Sequence, residues 1–83
     1  MKFRITEIES QVIRTIEWVG QVEEGYGSGT LTVEFQSGRV YNYFGVPFTE
    51  IEYLTTAESI GWYFNNVFKG VFGKDYLEVT PIF

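Results

Sequence analysis

Apolar and polar residues alternate in short stretches through the first half of the chain, and the period lengthens to a helical one in the second half. Phe3 and Ile5 alternate with Lys2, Arg4 and Thr6, and Ile16 and Trp18 alternate with Thr15 and Glu17. A period of two belongs to half-buried strands, because successive side chains of an extended chain point to opposite faces. Leu31, Val33 and Phe35 alternate with Thr32, Glu34 and Gln36, Ser37-Gly38 interrupts the run, and Val40-Tyr41-Asn42-Tyr43-Phe44 resumes it. This predicts a β-hairpin.

The register of that hairpin follows from its turn, since a one-residue shift swaps every face. A two-residue turn at Ser37-Gly38 would pair Phe35 with Val40 and Val33 with Asn42, setting an amide among the buried apolar residues. Leaving it there without a partner costs on the order of 1–3 kcal/mol. A type I turn over Phe35 to Gly38, with Gly38 left-handed in a G1 bulge, pairs Val33 with Tyr41 and Leu31 with Tyr43 and turns Asn42 outward. The bulged register is the expected one. It places both tyrosine rings on the core face.

From Pro47 the pattern is helical, with proline at the first helical position, where its missing N–H is harmless, and Glu50 and Glu52 in the early turns. Phe48, Ile51, Leu54 and Ala57 form the apolar stripe. A second helix is predicted from Ile60, Tyr63, Phe64, Val67, Phe68 and Val71, which fall at i, i+3, i+4, i+7, i+8 and i+11. Ser59 is its candidate N-cap and Gly70 its candidate stop. Gly25-Tyr26-Gly27-Ser28-Gly29 reads as a mobile hairpin loop, because it lacks the Lys-Ser/Thr ending of a phosphate loop and follows Glu23-Glu24. Tyr76 to Thr80 can add a strand before Pro81 stops it.

Composition narrows the chemistry. The 83 residues leave room for a single domain, 1–83, and 45% apolar residues suffice to close a small core. Neither His nor Cys is present, which removes the commonest metal ligand and general base, thiolate nucleophiles and disulfides. The acidic pairs Glu7 and Glu9, Glu23 and Glu24, and Glu50 and Glu52 are spread along the chain and read as solvated surface, so neither metal nor cofactor is expected. The first residues lack the apolar segment of a leader, and no window approaches the ~18 apolar residues of a membrane span, so a cytoplasmic protein is expected. Six basic residues, at 2, 4, 14, 39, 69 and 74, stand against eleven acidic ones and leave a charge of −5. That balance disfavours nucleic acid as a partner, because phosphate binding is driven by Lys and Arg.

Two gapped motifs carry a resemblance. Phe35, Gly38, Tyr41, Tyr43, Val46 and Pro47 stand as Phe-x-x-Gly-x-x-Tyr-x-Tyr followed by Val-Pro, and Ala57, Ser59, Gly61, Tyr63, Phe64 and Asn65 stand as Ala-x-Ser-x-Gly-x-Tyr-Phe-Asn. In this order they resemble the KTSC family, small domains named for their place at the C-terminus of some lysyl-tRNA synthetases and also found alone in bacterial and phage proteins. The resemblance covers about 8–72 and leaves 73–83 as an extension. It is looser upstream, where Ile8, Ser10, Ile13 and Ile16 match but Gln11 and Glu17 replace a serine and a glycine. The resemblance implies a small antiparallel sheet followed by helices and, from the synthetase context, RNA binding, which is an association rather than a mechanism. Pattern and resemblance together predict an α+β fold: a three- or four-stranded antiparallel meander followed by two helices packed on one face.

Several constellations have both a structural and a functional reading. Tyr41 and Tyr43 could stack bases on an open sheet face, but the expected register makes them core residues. Trp62 lies off the apolar stripe beside Asn65, Asn66 and Lys69, a recognition patch unless it tucks against the first helix or a loop. Ser59-x-Gly61 caps a helix and permits close backbone approach; Glu58 beside it argues against an anion. Asn65 is expected to tie its helix to neighbouring backbone through its amide. The apolar Pro81-Ile82-Phe83 docks either on its own core or on another subunit. The expected function is a non-catalytic interaction module that binds a protein partner, or a second copy of itself, with a phage protein acting on a host factor as one setting. RNA or tRNA binding through exposed aromatics is the alternative, and sequestration of a small nucleotide-like ligand by Tyr41, Tyr43 and Trp62 is a third.

Overall fold

Strand alternation in the first half of the chain is realised as an antiparallel meander. The computed structural model describes residues 1–6, 8, 10–24 and 26–71 and the backbone of 72 and 76–79. Expectations for Glu7, Glu9, Gly25 and Pro81-Ile82-Phe83 lie outside these residues. The strands are β1 (Lys2–Ile5), β2 (Ile13–Glu23), β3 (Tyr26–Phe35) and β4 (Val40–Pro47). Two helical stretches follow, α1 (Phe48–Thr56) and a segment built from α2 (Ile60–Tyr63), a π-helical turn (Phe64–Phe68) and α3 (Lys69–Phe72). A last strand, β5 (Tyr76–Val79), returns to the edge at β4, so the sheet order is β1-β2-β3-β4-β5. The fold is α+β, with the fifth strand added to the expected three or four.

The β3–β4 turn adopts the bulged form. Gly38 N–H donates to the Phe35 carbonyl at 2.9 Å, Phe35 N–H donates to the Arg39 carbonyl at 2.9 Å, and Gly38 has φ of 92°. Only glycine takes that conformation without steric cost. Leu31 pairs with Tyr43, Thr32 with Asn42 and Val33 with Tyr41, as the turn requires. Asn42 faces outward, where its Oδ1 accepts from the Thr32 hydroxyl at 2.6 Å.

One sheet face thus carries Ile16, Trp18, Leu31, Val33, Phe35 and Tyr43, all buried against Ile51 and Leu54 of α1 and Phe64 and Phe68 of the second helical segment. The opposite face is mainly polar, with Val19 exposed on it. There Lys2 and Arg4 approach Glu17 at 3.7 and 3.9 Å, and the Thr15 hydroxyl donates to Glu34 at 3.4 Å.

Three local expectations are corrected. Residues 26–29 are not a loop: Tyr26 to Gly29 are strand, paired with Gly20 to Glu23. Its glycines keep β2 and β3 close, since a Cβ on Gly29 would strike the Val19 carbonyl and lie 2.6 Å from the Gly20 Cα. The first helix starts at Phe48 rather than Pro47, because Pro47 is still extended (ψ of 151°) and ends β4. The second helical segment continues past Gly70 and exposes Val71 by 67%, although its apolar spacing placed Val71 on the core face. The π-helical turn accounts for this: it inserts an extra residue after Tyr63, so Phe64 and Phe68 stay buried while later residues rotate off the stripe.

Candidate functional site

The helices cover the tyrosine side of the sheet. Tyr43 is 1% exposed, with its ring edge-on to Phe64 at 5.7 Å and Phe68 at 5.1 Å. It is a core residue and cannot stack a ligand. Tyr41 is half-buried, 5.2 Å from the Phe35 ring, and keeps one side toward a surface cleft.

The second motif works mainly as architecture. Ser59 caps α2 by accepting from Trp62 N–H at 3.2 Å. Gly61 is buried, and a Cβ there would lie 2.7 Å from Ser10 Oγ, which itself accepts from the N–H groups of Val12 and Ile13 at 3.1 and 3.0 Å. The upstream serine and the helix glycine are therefore packed against each other, locking the approach to β2 onto the helices. Phe64 lies in the core. Tyr63 donates its hydroxyl to Glu50 Oε1 at 2.8 Å and so joins the two helical stretches.

Partial burial, the Glu50 carboxylate that accepts its hydrogen bond, that carboxylate's charge and nearby Tyr53 push the Tyr63 phenol from 10.0 up to about 12. Each cause favours the neutral phenol. A pKa raised in the folded state stabilises below the unfolded value and ceases to do so as pH climbs through the folded one. The stability advantage of the wild type over Tyr63→Phe is thus expected to hold up to about pH 10 and to shrink between about 10 and about 12. Urea unfolding of both proteins across that range checks the sign. At neutral pH, Tyr63→Phe is expected to cost about 1 kcal/mol.

The remaining candidates divide between two surfaces. Trp62 is 62% exposed and borders a cleft of about 480 Å³ with Ala57, Glu58, Ser59 and Tyr63. It does not tuck beneath the first helix. Asn66 donates its amide to the Trp62 carbonyl at 2.9 Å, whereas Asn65 is exposed and forms no side-chain hydrogen bond among the described residues, so the expected tie to neighbouring backbone is not made there. Lys69 points elsewhere, its Nζ standing 5.6 Å from the centre of the Phe64 ring at the edge of the Tyr41 cleft. Sequence reasoning missed Tyr53, 65% exposed on α1, and Arg39, which lines the Tyr41 cleft. The position of Arg39 directly after the bulged glycine was the available signal. Among the described residues no three acidic, His or Cys side chains gather to hold a metal, and no helix is long and apolar enough to cross a membrane.

A meander capped by two helical stretches, with Gly38, Pro47, Ser59 and Gly61 in these structural roles, is a KTSC domain: the family matches residues 22–72, and the chain belongs to it. The match begins later than the 8–72 resemblance. A lysine–tRNA ligase of Trichormus variabilis is 52% identical over 48 residues, which is 58% of this chain and 9% of the ligase. One from Nostoc punctiforme is 39% identical over 75 residues, 90% of this chain and 12% of the ligase. An uncharacterized protein of Stutzerimonas stutzeri is 49% identical over 39 residues, 47% of this chain and 55% of that protein. The chain spans about a tenth of the length of these ligases. No solved structure matches it.

Proposed function

We propose that this domain is a non-catalytic interaction module that binds a protein partner through the outer surface of its helical layer. The observation that carries this reading is Trp62, a large aromatic left exposed beside an apolar-lined cleft in a fold that buries Trp18, Phe64 and Phe68 completely. Exposed tryptophan is the residue type most enriched among binding hot spots. Tyr53 adds a second exposed aromatic on α1. Glu52 beside Tyr53 and Glu58 beside Trp62 make the surroundings acidic, which suits a basic partner.

The RNA reading rested on tyrosines stacking bases across an open sheet, and the burial of Tyr43 removes half of that platform. The part of the ligase relatives that this chain matches is too small a fraction to bring their substrate with it.

Trp62→Ala and Tyr53→Ala are expected to change stability by no more than ~0.5 kcal/mol, since both side chains are exposed. Affinity capture from bacterial lysate at moderate salt should retain a stoichiometric protein on the wild type and lose it on Trp62→Ala, with a drop in affinity of about 2 kcal/mol or more. Retention of the same proteins by wild type and variant, or of none by either, would overturn the reading.

A further inference from the structure

Between Arg39 and Lys69 the chain contains no Lys or Arg, yet it contains Glu50 and Glu52 on α1 and Glu58 in the connection to α2. The charges of this stretch are therefore all negative. The described cations stand elsewhere: Lys2 and Arg4 approach Glu17 on the far face of the sheet, Arg14 lies beside Gln36, and Arg39 and Lys69 border the cleft of the β3–β4 turn. None of them lines the cleft of about 480 Å³ where α1 gives way to α2.

That cleft brings a carboxylate and two aromatic residues together. Glu58 is exposed on its lining and forms no hydrogen bond or ion pair among the described residues. Trp62 is exposed, but its backbone is fixed on both sides: its N–H donates to Ser59 Oγ at 3.2 Å and its carbonyl accepts from the Asn66 amide at 2.9 Å. Tyr63 is tied to α1 through the 2.8 Å bond from its hydroxyl to Glu50, and Ala57 adds a short apolar side chain. The indole is presented from a held backbone, so binding there orders little besides side chains.

We propose that this cleft receives an arginine side chain from an exposed segment of the protein partner, with the guanidinium against the Trp62 indole and paired with the Glu58 carboxylate. This rests on the protein-partner reading and narrows the partner to one side-chain chemistry. Tryptophan attracts a cation over its ring face more strongly than tyrosine or phenylalanine does. A planar guanidinium stacks on such a face and still presents N–H donors to a carboxylate, which the compact ammonium of lysine cannot do in the same way. The arginine methylenes find apolar surface on Ala57 and Tyr63. A leucine would fill the space but bring nothing to Glu58. A phosphate would be repelled by Glu58 with no cation on the lining to offset it, so RNA does not fit this site.

The probe is a blocked pentapeptide, Gly-Ser-Arg-Ser-Gly, titrated into the full chain beside its citrulline and lysine counterparts and followed by amide and indole N–H shifts. Citrulline keeps the length and planarity of arginine without its charge. The arginine peptide is expected to move the Trp62 indole signal and the amides of 57–63, while the indole of the buried Trp18 stays still. It should bind about 10-fold more tightly than the citrulline peptide, with lysine between them. Trp62→Ala and Glu58→Gln, both at exposed positions, should each weaken it about 5-fold or more. Glu23→Gln removes the same charge at the far end of β2 and should leave the affinity unchanged; an equal loss there would reduce the effect to net charge and overturn the proposal.

The two readings fail separately. A partner captured by the wild type, lost on Trp62→Ala and kept on Glu58→Gln would leave the protein-partner reading standing and overturn the arginine site, whereas a partner kept on Trp62→Ala would overturn both. No shifts at millimolar arginine peptide, equal affinity for the citrulline peptide, or shifts centred away from 57–63 would likewise overturn the arginine site. A dimer in sedimentation that Trp62→Ala dissolves would assign the surface to a second copy and do the same.

Discussion

Trp18→Ala is expected to remove about 3–5 kcal/mol of stability, a large share of what a chain of this size possesses. Trp18 is fully buried in the middle of the covered sheet face, paired with Phe3 on one side and Leu31 on the other, and its ring lies 5.7 Å from that of Phe48 on α1. It also carries one buried polar contact: Nε1–H donates to the Val46 carbonyl at 3.1 Å, fastening the strand that leads into the first helix. Trp18→Phe separates the two contributions. It keeps most of the apolar contact but removes the side-chain donor to the Val46 carbonyl, for an expected cost of about 1–3 kcal/mol. Urea unfolding of the three proteins checks the order. A phenylalanine variant as stable as the wild type would mean that the bond to Val46 contributes nothing.

Gly29→Ala gives the sharpest test of the β2–β3 pairing, because the two descriptions of this segment predict opposite signs. In a mobile loop, alanine would restrict the unfolded chain and stabilise the protein by roughly 0.4–1 kcal/mol. In the paired strand, a Cβ meets the Val19 carbonyl and the Gly20 Cα, both backbone atoms that cannot rotate away. The strands must then separate, at an expected cost of about 1–3 kcal/mol. A rise in the midpoint of unfolding on this substitution would contradict the ladder from Gly20–Gly29 to Glu23–Tyr26.

These two positions differ in how far local sequence reveals them. Trp18 declares itself with Ile16 by alternating with Thr15 and Glu17 in a stretch of period two, so its strand and its face follow from the chain alone. The glycines of 27 and 29 carry no periodic signal, and a run rich in glycine has the composition of a loop. What holds them in a strand is the end of the long strand β2, Gly20 to Glu23, which supplies hydrogen bonds that the segment cannot make by itself. The same distinction explains Val71. Its spacing from Ile60 is correct for a regular helix, and the π-helical turn at Phe64–Phe68, which lets both phenylalanine rings stack at 5.1 Å in the core, puts it out of phase.

The hairpin register belongs to the sequence. Gly38 and the burial cost of Asn42 select one turn, that turn orients Tyr41 and Tyr43, and the family resemblance rests on the same residues. Gathering the surfaces belongs to the tertiary structure. Arg39 and Lys69 lie thirty positions apart and share a cleft only because the helical layer folds back over the β3–β4 end of the sheet, and the same layer that buries Tyr43 leaves Trp62 outside. Turn geometry depends on bond rotations over four or five neighbouring residues, which a sequence displays directly. Convergence of distant side chains depends on how two layers pack, and no local pattern encodes that.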